Sequence, residues 1–554
     1  MPSSRFDARY RVVDLSTGGS EDRPLPDAAG IGTLEGVGLA AWLLLEFTPC
    51  AVDPLSPESP FVFVCGPWPN PISVDSLRDD GDRVALAARS PLTGLLGDSL
   101  LSGVLATALK QVGCTALVLT GAAPALSVLL IEDQAARLLP VPELAGRGAG
   151  ETESALKERL EGRFAIAAIG PAGEAGVRYA SVGHAGRQAG RTGLGAALGA
   201  KRLKAIAIRG TQGLRIYDRG ELLQWAKALV ARARSGATEK YRRKGTSSNL
   251  LALNRLGVLP TRNFRESRFP GAKRLYTRLG GPRGLPYEPL FAFGPLLGID
   301  DPDAVRMAIH LCDDLGLDAL SAGGTIAWAM ECGERGVLTP VEADGLDLRF
   351  GNGAAVRELL PRIARREGVG DLLAEGSRRA AARLGRGSEA WAMHGKGLEL
   401  PGYDPRRLKT LALGLAVGAR GACHNRSSAY DVDFSPEGPR LSVEERARLA
   451  LESEDRAAVM DSLIVDRFLR HCFTDFYPEA AALLHALTGW EGNADALRAA
   501  GARISALRHE FNRRCGWTRA EDTLPERLLT GEEDGLTRAE LEAMVDAYHR
   551  LRGG

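Results

Sequence analysis

The chain has 554 residues, more than a single hydrophobic core carries, so two or three domains are expected. Its apolar share of 45% and charged share of 25% are those of an ordinary globular protein. Lys+Arg (70) and Asp+Glu (69) nearly cancel, which excludes nucleic acid as the main partner, since a polyanion needs a concentrated basic surface.

In chain order, Arg11-Val-Val-Asp-Leu, Phe61-Val-Phe-Val-Cys, Ala116-Leu-Val-Leu-Thr and Leu126-Ser-Val-Leu-Leu-Ile predict strands, being short β-branched or alternating runs bounded by Gly, Pro and Asp. A helix is predicted at Gly36 to Phe47, ending near Thr48-Pro49, and another directly after Asp98-Ser99. After Gly210 apolar residues recur at helical spacing, as in Glu221 to Ala233, Asp303 to Leu315 and Glu444 to Leu469, while Gly281 to Pro286 reads as a loop. The fold class is therefore α+β: an N-terminal β-rich domain (1–210) followed by mainly α-helical domains (211–400 and 401–554).

The polar start of the chain lacks the apolar core of a signal peptide, and no apolar run reaches the ~20 residues that span a bilayer. A cytoplasmic protein without a membrane span is expected. The runs Arg242-Arg243-Lys244 and Arg362 to Arg366 read as solvated faces. Eight cysteines, at 50, 65, 114, 312, 332, 423, 472 and 515, form no CxxC pair, so neither a zinc ribbon nor a disulfide scaffold is signalled.

Four stretches can carry chemistry. In Gly190-Arg-Thr-Gly-Leu-Gly195 the glycines let backbone approach a bulky ligand, and Arg191 can supply counter-charge. Asp313-Asp-Leu-Gly-Leu-Asp318 sets an aspartate at a helix end beside a glycine that permits the turn. Tyr287-Glu288 and Arg420-Gly-Ala-Cys-His-Asn-Arg426 offer a carboxylate and an imidazole, a pair suited to proton transfer. Taken singly each has a bland reading: a Gly-rich turn, a capped helix end, a hydrogen-bonded structural histidine. Cys423 reads as a small buried residue.

In order and spacing, these stretches resemble the active-site segments of the aldehyde ferredoxin oxidoreductase family, and the resemblance runs from Asp14-Leu-Ser-Thr-Gly18 to about Ala486-Leu-Thr-Gly489. Family members hold tungsten, sometimes molybdenum, between two pterins beside a 4Fe-4S cluster. The resemblance implies catalytic roles for Glu288 and His424 and pterin contacts from Arg83, Gly190, Arg191, Gly193, Asp313, Gly316, Leu317, Asp318, Arg420 and Asp461. It makes Lys396 and Arg406 phosphate contacts and the Ala189 carbonyl a ligand of a magnesium ion bridging the two pterin phosphates. The metal itself is expected on pterin sulfurs, not on side chains.

The departures are as informative. The asparagine expected as the second magnesium ligand is Leu100, which cannot coordinate a hard cation. The second Asp-x-x-Gly-Leu motif reads Asp461-Ser-Leu-Ile464, so a changed turn is expected there. The cysteine that closes it, a cluster ligand, is Asp466. A CxxCxxxC run expected before Tyr287 is missing, because no cysteine lies between Cys114 and Cys312. Since Fe–S clusters need thiolates, typically four, the cluster is expected to be absent.

The resulting expectation is an oxidoreductase with a tungsten or molybdenum bis-pterin site acting on an aldehyde or related carbonyl. Its partners would be a small carbonyl substrate and a redox protein or soluble acceptor, with room for an oligomer. A non-redox metallopterin lyase or hydratase and a catalytically silent cofactor-binding subunit are the alternatives.

Overall fold

A computed structural model of the chain describes residues 8–26, 32, 34–49, 51–67, 82–426, 429–532 and 535–553. Two six-stranded sheets fill the first 210 residues. The first contains β1 (Arg9–Asp14), β2 (Gly19–Pro24), β3 (Phe61–Cys65), β4 (Arg83–Arg89), β5 (Leu96–Ser102) and β6 (Ala116–Thr120), in the order β2-β1-β6-β3-β4-β5. The second contains β7 (Ser127–Glu132), β8 (Ala135–Pro140), β9 (Ala165–Ile169), β10 (Val182–His184), β11 (Arg187–Ala189) and β12 (Leu203–Arg209), in the order β11-β10-β9-β12-β7-β8. Among the described residues only the pairs β1/β6 and β12/β7 are parallel.

The layering follows from side-chain alternation along the strands. Phe61, Phe63 and Cys65 share a core with Leu129, Ile131, Ile206 and Ile208, so the two sheets face each other. Val62 and Val64, on the opposite face of β3, pack with Val37, Leu39 and Leu43 of the helix Gly36–Phe47. On the far side of the second sheet, Val128, Leu130, Ala205 and Ala207 pack on Leu156 of the helix Ala149–Arg159. β3 is thus buried on both faces, which explains its unbroken apolar run.

The rest of the chain is mainly helical, apart from a short antiparallel pair, His394–Gly395 with Leu398–Glu399. Its largest core joins the helices Tyr287–Phe293, Pro302–Leu315, Ala319–Glu334, Gly353–Arg365, Lys409–Val417 and Arg538–Arg552. No helix among the described residues is long and apolar enough to cross a membrane.

Three expectations are corrected. Leu100 to Ser102 extend β5, where Ser102 pairs with Arg83, so the helix after Ser99 begins only at Leu105; the register with β4 overrides local helix propensity. The helix from Val443 ends at Ser462, before Leu469. The turn at Ile464 is not altered. Val465 N–H bonds back to Met460 O at 2.8 Å, as Leu317 N–H bonds to Cys312 O at 2.8 Å in the intact motif. Ile464 holds φ 58°, close to the 73° of Gly316. Its side chain takes the space beside Gly66, where an added Cβ would collide with it, so the turn survives with a β-branched residue in the left-handed region.

Candidate active site

Glu288 stands in the first turn of the helix Tyr287–Phe293. Its Oε2 accepts the Gly402 N–H at 3.1 Å, and its Oε1 lies 3.5 Å from His424 Nδ1. Both side chains keep a sliver of exposure, 24% and 14%, at depth within the protein. Burial pushes the Glu288 carboxyl up to about 7, against the Gly402 amide and Arg191, which favour the charged form. Burial, together with Arg191, Arg420, Arg467 and Arg470, pushes His424 down to about 3, so its imidazole is neutral near pH 7. Tyr403 and Tyr430 wall the pair, their ring centroids 5.0 and 6.1 Å from that of His424. The Tyr287 hydroxyl donates to Gly402 O and fixes the loop that carries the amide donor.

The glycine turn reaches this pair through Arg191. Its Nη2 donates to Glu399 O at 2.8 Å and reaches Ala422 O at 3.5 Å, two residues before His424, while its Nε lies 3.7 Å from Asp318 Oδ2. Asp318 caps the helix Ala319–Glu334, accepting from Leu320 and Ser321 N–H, and a Cβ on Gly190 would sit 3.2 Å from its Oδ1. Gly193 has φ 79°, and a Cβ there would collide with Arg178 O. Ala189 ends β11 fully buried. Gly316 (φ 73°) and Leu317 dock on the same hairpin region: Ser181 N–H donates to Gly316 O at 2.8 Å, and Leu317 bridges Ala180. Asp313 reaches solvent, its carboxyl lifted to about 6 by the surrounding protein and Asp314 against the pull of His310.

Behind His424 lies a buried charge cluster. Asp98 Oδ2 meets Arg426 at 2.8 Å and Arg508 at 3.4 Å, and the Asp98 carbonyl accepts from Arg420. Asp461 pairs with Arg426 and, at 3.3 Å, with Arg467. Four guanidinium groups thus face two carboxylates. Burial opposes ionisation of both aspartates, but the arginines prevail: Asp98 falls to about 2 and Asp461 is also lowered. Arg191, Arg420, Arg426, Arg467 and Arg508 each keep a buried Nε without a hydrogen-bond acceptor among the described residues. Burial raises the Cys423 thiol, yet Arg420 (Nη2 at 3.0 Å from Sγ), Arg426 and Arg191 outweigh it and hold it below its ordinary value.

Arg83 stands apart from the catalytic pair, with Ser102 Oγ at 3.2 Å and Asp466 Oδ2 at 3.2 Å. Asp466, at the position where the resemblance expects a cysteine, is 1% exposed and also caps its own turn by accepting Phe468 N–H at 2.9 Å. Lys396 and Arg406 do not join Glu288 and His424. The Lys396 ammonium meets Asp522 at 2.7 Å and Ala416 O, and Arg406 forks onto Asp404. Sequence reasoning singled out neither Asp98 nor Arg508 as a functional residue. Asp98 enters the sequence reading only in Asp98-Ser99, as the lead into a helix, whereas Arg508 is one arginine in a 21-residue helix and carries no local signal.

Two packed sheets and a helical remainder meet at this arginine-rich cage. Residues 10–210 match the model for the N-terminal domain of aldehyde ferredoxin oxidoreductase, and residues 276–553 match the model for its domains 2 and 3; the chain belongs to that family. The tungsten-containing aldehyde ferredoxin oxidoreductase of Pyrococcus furiosus is 32% identical over 98% of this chain and 96% of its own length. That of Pyrococcus abyssi is 32% identical over 93% of this chain and 91% of its own. Among solved structures, the active-site complex BamBC of benzoyl coenzyme A reductase, with 1,5-dienoyl-CoA, superposes with a TM-score of 0.85. It shares 22% identity over 99% of this chain and 95% of that chain, a likeness of fold.

Proposed function

We propose that the chain oxidises an aldehyde or related carbonyl compound at a tungsten or molybdenum bis-pterin group, with Glu288 and His424 as its catalytic residues. The observation that carries this reading is the partly buried Glu288–His424 pair beside a cage with surplus positive charge. Phosphate-bearing pterins fit that cage: four guanidinium groups face two carboxylates, and their buried Nε atoms find no acceptor among the described residues, so an anion would complete them. Arg420, Arg426 and Arg191 would hold the group, and when bound it would supply a two-electron acceptor.

The chain's own residues manage the proton and the carbonyl. A carboxylate with its pKa near 7 is poised to take a proton from water or a hydrated aldehyde. The neutral imidazole offers one donor and one acceptor, so it can hydrogen-bond the carbonyl oxygen without introducing a competing charge. Tyr403 and Tyr430 limit water around the pair. Glu288→Gln and His424→Asn should each abolish turnover while bound metal persists; unchanged turnover would remove these roles.

No 4Fe-4S cluster enters this proposal: Asp466, where the family has its last cluster cysteine, is engaged on both oxygens, by Arg83 and by Phe468 N–H. Electrons would leave to a docked redox protein or directly to a soluble acceptor. The same engaged Asp466 favours one second reading, Lewis-acid hydration without net redox. Substrate consumption without any added electron acceptor would decide for it.

A further inference from the structure

Four arginines from separate parts of the chain converge on one groove of about 820 Å³: Arg242 of the helix Glu239–Lys244, Arg278 of the helix Ala272–Leu279, Arg283 of the loop that follows it and Arg306 of the helix Pro302–Leu315. No Asp or Glu lines it. Arg242 is fixed in place, donating to Thr238 Oγ1 at 3.0 Å and to the carbonyls of Arg234 and Ser235 at 2.6 and 2.8 Å. Arg306 has an exposed contact with Asp303 at 3.5 Å, and among the described residues Arg278 and Arg283 make no ion pair. By contrast, the other basic run noted in the sequence is neutralised: Arg362 meets Asp344 and Glu358, and Arg366 meets Asp371 and Glu375.

The loop that lines the groove runs into the helix that carries Glu288. Leu285 lines it three residues before Glu288, about 10 Å at full extension. The loop is pinned on the same platform as the catalytic helix: Gly281 N–H donates to Ser247 Oγ at 3.0 Å and Tyr287 N–H to Thr246 Oγ1 at 3.2 Å. A solvent-open groove lined by four arginines and no carboxylate suits phosphate oxygens, which accept paired N–H bonds.

We propose that this groove is a phosphate-recognition subsite that holds the anionic end of the substrate while its carbonyl reaches Glu288 and His424. The proposal rests on the oxidoreductase reading for the carbonyl and on the groove itself for the phosphate. The test uses the whole protein purified without oxygen. Pyrophosphate binding is measured by calorimetry for the wild type, for the double variant Arg278→Gln/Arg283→Gln, and for Arg243→Gln, whose side chain pairs with Glu239 outside the groove. Turnover of a phosphorylated aldehyde is compared with that of an uncharged one of equal length.

The expected result is pyrophosphate binding that competes with the phosphorylated aldehyde, weakens at least tenfold in the double variant and is unchanged in Arg243→Gln. The ratio of kcat/KM for the phosphorylated to the uncharged aldehyde should fall at least tenfold in the double variant. No binding at millimolar pyrophosphate, equal binding by the double variant, or binding that does not compete would overturn the proposal. Binding of a poly-glutamate peptide but not of pyrophosphate would also overturn it, in favour of an acidic protein partner. Groove-dependent binding in a protein that oxidises no aldehyde would support the phosphate site and sink the oxidoreductase reading instead.

Discussion

Two ionisable groups 3.5 Å apart are driven in opposite directions by one environment. Burial favours the neutral form of each, which raises a carboxyl and lowers an imidazole, and the arginines add to the second effect. Activity that needs the Glu288 carboxylate should therefore rise with pH through an apparent pKa near 7. No limb from His424 should appear above about pH 4, because its folded value lies near 3. A profile of kcat/KM against pH checks this, and a flat profile from pH 5 to 8 would contradict it. The sign for stability is the reverse: a Glu with a raised folded-state value stabilises fully below its unfolded value and loses that contribution as pH rises through about 7. A second residue-scale prediction concerns Asp466. Arg83→Met leaves that carboxylate buried without its cation and should cost about 3–5 kcal/mol in urea unfolding. A loss below about 1 kcal/mol would show that the pair is not structurally required.

At the level of elements, the sequence displayed what depends on local pattern. The helix Gly36–Phe47, the strand Phe61–Cys65 and the loop before Pro286 were legible because apolar period and Gly/Pro punctuation report them directly. The strand through Ser102 was not, because its state is set by pairing with Arg83 across the sheet. The turn at Ile464 was misread for a related reason: glycine is the easy way to hold φ near 60°, and only the neighbouring Gly66 makes room for isoleucine there. The turn at Gly193 has no such relief. Gly193→Ala combines a positive φ with a collision against Arg178 O and should lower stability by roughly 1–3 kcal/mol, with loss of bound cofactor. Thermal unfolding alongside pterin content checks it; an unchanged Tm would contradict the close approach.

Across the whole molecule, the candidate site was legible where residues act in short runs and hidden where they converge. Glu288 and His424 come within 3.5 Å of each other, and Arg191 reaches Ala422 two residues before His424. Lys396 and Arg406 end in pairs with Asp522 and Asp404, partners that no spacing in the sequence reveals. The cage joins Asp98 of the first sheet to Arg420, Arg426 and Arg508, between 322 and 410 residues away, so its surplus charge is a property of the assembled halves alone. That surplus sits at the junction of sheets and helices, where an anionic cofactor would bind both and link catalysis to the assembly of the chain.

The central claim is a metallopterin oxidoreductase site without an iron–sulfur cluster. The measurement that tests it most directly is elemental analysis of the protein purified without oxygen, covering tungsten, molybdenum, iron and magnesium, with pterin quantified alongside. The account predicts about one tungsten or molybdenum and about two pterins per chain with iron well below one. Iron at about four per chain, or neither metal nor pterin from a host that makes the cofactor, would contradict it.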